Sequence, residues 1–116
     1  ACAHLSNWTA SHEARTHALG EARLDVPARH IEIDNRLTWM LGRLDRAWGD
    51  RAAYVHLTRD PEAVARSFAR RAHQGILRAY REGILARHLT RPPVPPVIEA
   101  ARDLVATANA NIALFL

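Results

Sequence analysis

The apolar positions of this chain fall mostly at helical spacing, and the clearest stretch begins at Asp34. Leu37, Met40, Leu41, Leu44 and Trp48 lie on one helical face. The Asp34 carboxylate is placed to cap the free N–H groups of a first turn. Gly49 is placed to end the helix, because glycine takes a left-handed C′ conformation without steric cost. A second helix start reads in Asp60-Pro61-Glu62: a capping carboxylate, a proline where the missing N–H costs nothing, and an acid at the positive end of the dipole. That helix carries Val64 and Phe68 inward and Arg66, Arg70 and Arg71 outward. A break at His73-Gln74-Gly75 leads to another amphipathic helix with Ile76, Leu77, Tyr80, Ile84 and Leu85. Pro92-Pro93-Val94-Pro95-Pro96 is a stiff spacer. A last helix from Val97 presents Ile98, Ala101, Leu104, Val105, Ala108 and Ile112. Ala1, Leu5 and Trp8, also at helical spacing, read as a helix end.

Two segments read as strands. His30-Ile31-Glu32-Ile33 alternates polar and apolar residues, and residues 52–58, Ala-Ala-Tyr-Val-His-Leu-Thr, are rich in β-formers near their centre. The polar stretch from Thr9 to Pro27 is expected to hold a short helix or an irregular segment. Strands separated by helices imply an α/β fold with a parallel sheet and crossover connections. A parallel sheet needs both faces covered, and two strands are few for this much amphipathic helix. The expectation is therefore a partial three-layer domain over residues 1–116, cut from a larger one at both ends, with residues 92–96 as spacer and 97–116 as C-terminal helix.

Composition narrows the setting more than the function. The chain has 116 residues, is 48% hydrophobic and 24% charged, and carries a net charge of +4; all 16 of its basic residues are arginine. That balance is globular and favours an anionic partner, although an arginine-only, alanine-rich chain also arises from biased genome composition. Cys2 is the sole cysteine, which excludes an internal disulfide and a thiolate metal cluster and suggests a reducing, cytoplasmic setting. No apolar run has the length of a membrane span.

The sharpest local signal is the junction Tyr54-Val55-His56-Leu57-Thr58-Arg59-Asp60-Pro61. A helix start just past the carboxyl end of a parallel strand is an anion site, since free N–H groups and the dipole point at it. Arg59 adds a planar, permanently charged fork suited to phosphate. Ser67 lies eight residues on, on the face of Asp60 and Ala63, where its hydroxyl can reach an oxygen held by Arg59.

The run from Val55 to Phe68 (VHLTRDPEAVARSF) resembles the 3′-phosphate-binding motif of sulfotransferases that use 3′-phosphoadenosine 5′-phosphosulfate, PAPS. Arg59, Pro61 and Ser67 match that motif position by position: Arg-x-Pro after a strand, then a helix with Ser eight residues after the Arg. The resemblance implies a parallel sheet of the P-loop nucleoside triphosphatase type and PAPS as co-substrate. It implies that residues 1–91 are the nucleotide-binding portion, that Arg59 and Ser67 bind the 3′-phosphate, and that the acceptor is a hydroxyl or an amine. The family's 5′-phosphosulfate loop has no counterpart at Gly20, Gly42, Gly49, Gly75 or Gly83. Ala1-Cys2-Ala3-His4-Leu5 resembles the helix that follows such a loop, so the loop, its strand and the closing strand are expected outside this sequence, and the chain alone is expected to be inactive. Sulfuryl transfer needs a base for the acceptor proton. The resemblance points to Glu13 in Ser11-His12-Glu13, with His12 as runner-up. Glu32, Asp34 and Asn35 form a second polar cluster at a strand end, placed to orient acceptor or base.

Other chemistries read less well. His12 and His17 are five apart and do not share a helix face, and His4, His30, His56, His73 and His88 have no ligand spacing, so no metal is expected. His30 and His56 read as satisfied sheet residues. Arg66, Arg70, Arg71, Arg78, Arg81 and Arg87 outline a basic face for nucleic acid. Glu62, Glu82 and the intervening alanines dilute it, and Trp8, Trp39 and Trp48 fall at core spacing rather than as stacking platforms. A nucleic-acid-binding or helical interaction module without catalysis is thus the alternative to an enzyme portion.

Overall fold

The computed structural model describes residues 6–85 and 95–116. Of the residues 1–8 expected to end a helix, Ala1–Leu5 lie outside the described residues, as do Arg87, His88 and Pro92–Val94; Ser6 and Asn7 form a turn, and Trp8 is in no helix. The chain divides into two compact units, residues 1–53 and 54–116, and its architecture is mixed α/β with a two-stranded parallel sheet.

In residues 1–53, strand β1 (Thr9–His12) pairs in parallel with β2 (His30–Ile33), Thr9 opposite His30 and His12 opposite Ile33. Backbone bonds from Thr9 N to Arg29 O and from Glu13 N to Ile33 O, each 3.0 Å, extend the ladder at both ends. The Thr9–Pro27 stretch therefore holds a strand where a helix or irregular segment was expected, followed by a 3-10 turn at Gly20–Arg23. Thr-Ala-Ser-His has none of the apolar alternation that marks a half-buried strand, and its two hydroxyls, Thr9 and Ser11, find partners on β2.

The helix expected to open at Asp34 is split. Asp34 does cap, its Oδ1 accepting from Arg36 N at 2.8 Å, but what it caps is a 3-10 turn, Asn35–Trp39. The Thr38 hydroxyl donates to the Asn35 carbonyl three residues back, a local alternative to the α-helical ladder. After an irregular Met40, helix α1 runs Leu41–Trp48 and ends at Gly49, whose φ of 48° is the left-handed value glycine supplies. Among the described residues of this unit, Leu24 and Leu44 are the buried apolar ones, and Trp48 Nε1 donates to Leu24 O at 3.0 Å.

In residues 54–116, helices α2 (Pro61–Ala69), α3 (Gly75–Ala79) and α4 (Val97–Phe115) surround a core of Ala65, Leu77, Tyr80, Ala100, Ala101, Leu104 and Val105, with Val64, Phe68, Ile76 and Ile98 packed against it. Alanines at 65, 100 and 101 let α2 and α4 approach closely. Arg102 binds Glu62 with two bonds of 2.9 Å and fixes their register. The helix after Gly75 does not continue as an α-helix: residues 80–84 form a π turn, and Leu85 N donates five residues back to Tyr80 O at 2.8 Å. The wider turn rotates Ile84 and Leu85 off the apolar face, leaving Ile84 61% exposed, and brings Arg81 inside.

The strand expected at residues 52–58 is not a strand. Residues 53–60 have no regular secondary structure, and among the described residues none ladders with them. The alternation survives: Tyr54 packs edge-on against Phe115 at 4.9 Å and His56 Nε2 is 3.1 Å from Asn109 Oδ1, whereas Val55 and Leu57 are 87% and 90% exposed. The β-forming pattern produces an extended conformation, but a strand also requires a neighbouring backbone.

Candidate functional site

The start of α2 has the local design that its sequence announces. Asp60 leaves the extended segment at φ −46°, ψ 116°, its Oδ2 accepts from Ala63 N at 3.0 Å, and Pro61 occupies the first turn. Val64 N closes on Asp60 O at 3.1 Å. Arg59, immediately before the cap, is exposed and makes no hydrogen bond or ion pair with the described residues. The neighbouring charges are engaged. Arg66 lies 3.2 Å from Glu62, and the Arg102 hydrogen bonds hold the Glu62 carboxyl below its ordinary range, with Arg66 adding to the effect. The Arg102 guanidinium is raised in turn. Ser67 is half-buried two turns into α2. The helix thus offers a cation with no acidic partner at its amino end and a hydroxyl further along.

The other site residues belong to residues 1–53, where a sheet face is built from two matched polar rows. Thr9, Ser11 and Glu13 follow one another at every second position of β1 and its end; His30, Glu32 and Asp34 do so along β2. In parallel register the rows meet side chain to side chain. Thr9 Oγ1 is 2.6 Å from His30 Nδ1, and Ser11 Oγ is 2.7 Å from His30 Nε2. The Ser11 hydroxyl donates to Glu32 Oε2 at 2.6 Å, so His30 Nε2 carries the proton it gives to Ser11. Glu32, its side chain only 5% exposed, also accepts from Ala14 N at 3.2 Å and lies 3.7 Å from Arg15 Nη1. Asp34 is fully buried and ion-paired with the equally enclosed Arg23.

Glu13, the expected base, sits at the end of β1 in a left-handed conformation, φ 53°. Its carboxylate is 2.7 Å from Arg36 Nη1, which lies 3.7 Å from Asp34 Oδ1. That carboxylate, with Asp34 behind it, raises the Arg36 pKa above its ordinary value. The arrangement is a chain of alternating charges, Arg23, Asp34, Arg36 and Glu13. His12 is exposed and alternates to the other face of β1, away from this chain. Glu32 and Asp34 stood out in the sequence, but Ser11 and Arg15 as partners of Glu32, Arg23 and Arg36 as partners of Asp34, and Thr9 as partner of His30 did not. The signal was present as Thr-x-Ser-x-Glu and His-x-Glu-x-Asp, two period-two polar rows of equal length.

The basic face outlined by the sequence is reduced by pairing. Arg66 and Arg78 are bonded to Glu62 and Glu82, Arg81 is buried with Nη1 directed to Ala72 O, and Arg71 donates to Ser67 O. Trp8 and Trp39 are 45% and 39% exposed, so these two tryptophans are not the core residues their spacing suggested. Among the described residues no group of three or more His, Cys, Asp or Glu gathers to hold a metal ion, and no helix is long and apolar enough to cross a membrane. A shallow depression of about 330 Å³ is lined by Glu21, Leu24, Asp25 and Trp48. No protein-family model, curated protein or solved structure matches the chain.

Proposed function

We propose that this chain is the 3′-phosphate-binding portion of a sulfotransferase-like α/β domain that transfers a sulfuryl group from PAPS to a hydroxyl or amine acceptor. The observation that carries the reading is Arg59: an exposed guanidinium with no partner among the described residues, directly before the capped start of α2 and eight residues ahead of Ser67. A phosphate dianion placed there meets a fixed fork of donors and the positive end of a helix dipole. The three-layer sheet of the nucleoside triphosphatase type belongs to the same proposal, supported by the parallel pairing of β1 and β2.

PAPS would supply the sulfuryl group; as the acceptor oxygen or nitrogen bonds to sulfur, the bond from sulfur to the bridging oxygen breaks, that oxygen leaves on adenosine 3′,5′-bisphosphate, and the acceptor proton needs a base. Glu13 is assigned that role. Its ion pair with Arg36 at 2.7 Å fixes the direction of its carboxylate. No residue of this chain is assigned to the 5′-phosphosulfate, so binding of the desulfated nucleotide is the property to measure.

Isothermal calorimetry with adenosine 3′,5′-bisphosphate against AMP tests the reading. The bisphosphate is expected to bind more tightly. Arg59→Ala is expected to cost it about 1.5–3 kcal/mol, the range for hydrogen bonds to charged groups, or roughly 10- to 150-fold. Equal binding of the two nucleotides, or no effect of Arg59→Ala, overturns it. Duplex DNA that displaces the nucleotide with a steep salt dependence would instead favour a nucleic-acid-binding module.

A further inference from the structure

We draw no further inference here: the strongest candidate, the apolar surface patch that Val55 and Leu57 present on the extended segment before α2, carries nothing because nothing in the structure shows what covers it.

Discussion

Replacing Asp60 by alanine removes one side chain that holds the start of α2, and the cost can be worked from its contacts. The Oδ2 bond to Ala63 N, 3.0 Å, satisfies an amide that has no partner inside the helix; such caps contribute about 1 kcal/mol. The carboxylate at the positive end of the dipole adds roughly 0.3–1 kcal/mol. The ion pair with Arg66 is 4.0 Å long between groups more than half exposed, and contributes close to zero, about 0–0.5 kcal/mol. Asp60→Ala is therefore expected to cost about 1.5 kcal/mol, and Asp60→Asn, which keeps an acceptor oxygen and loses only the charge, about 0.5 kcal/mol. For a unit of this size about 1.5 kcal/mol lowers Tm by roughly 6–12 °C. The helices α2, α3 and α4 all lie in residues 54–116, so far-UV circular dichroism during thermal and urea unfolding follows the change. If Asp60→Ala proves no more costly than Asp60→Asn, the amide bond is not the main stabilising contact and the reasoning fails. The comparison also bears on the proposed site, because a frayed first turn would misplace the N–H groups beside Arg59.

In residues 1–53, Arg23→Ala leaves the buried Asp34 carboxylate without its main counter-ion and is expected to cost about 3 kcal/mol, with Asp34→Ala in the same chain recovering part of the loss. Trp8, Trp39 and Trp48 all lie in this unit, so tryptophan fluorescence during urea unfolding reads it. Ala101, wholly buried where α2 and α4 approach, has no room for a larger side chain; Ala101→Leu is expected to cost about 1–3 kcal/mol, and an unchanged urea midpoint would contradict close packing there. Glu62 has its pKa lowered in the folded state, so its contribution is present above the ordinary carboxylate pKa near 4.5 and is lost as pH falls through the lower folded value. The urea midpoint followed by circular dichroism is expected to fall across that acidic window, and to fall less in Glu62→Gln.

Helix ends were legible in the sequence where local chemistry sets them, although the helix read from Asp34 opens only at Leu41. Asp60 with Pro61, the stop at Gly49 and the start at Val97 all stand where local chemistry puts them. Strand β2 was legible from its alternation. What failed needed information from elsewhere in the chain. Strand β1 has polar side chains whose partners, His30 and Glu32, lie about twenty residues on, so periodicity of apolar residues could not find it. Residues 52–58 have the composition of a strand and even its alternation, but whether such a segment joins a ladder depends on a neighbour that its own residues do not specify. The π turn at Tyr80–Ile84 likewise breaks an apolar pattern that reads without interruption.

The site residues divide along the same line, and the division bears on what each one can do. Arg59 was recognised from neighbours in sequence, and among the described residues it has no acidic partner, so its electrostatic attraction is available to a ligand without breaking a bond to them. Glu13 was also singled out in the sequence, but its setting was not. Arg36 occupies one carboxylate oxygen at 2.7 Å, and Arg36 is itself backed by the buried Asp34. In the proposed role, a proton taken up by Glu13 would weaken its hold on Arg36, so turnover there would be coupled to that ion pair. Arginine therefore plays opposite parts in the two places. Left unpaired at a helix start it is available to an anion, and paired along a sheet edge it restrains a carboxylate.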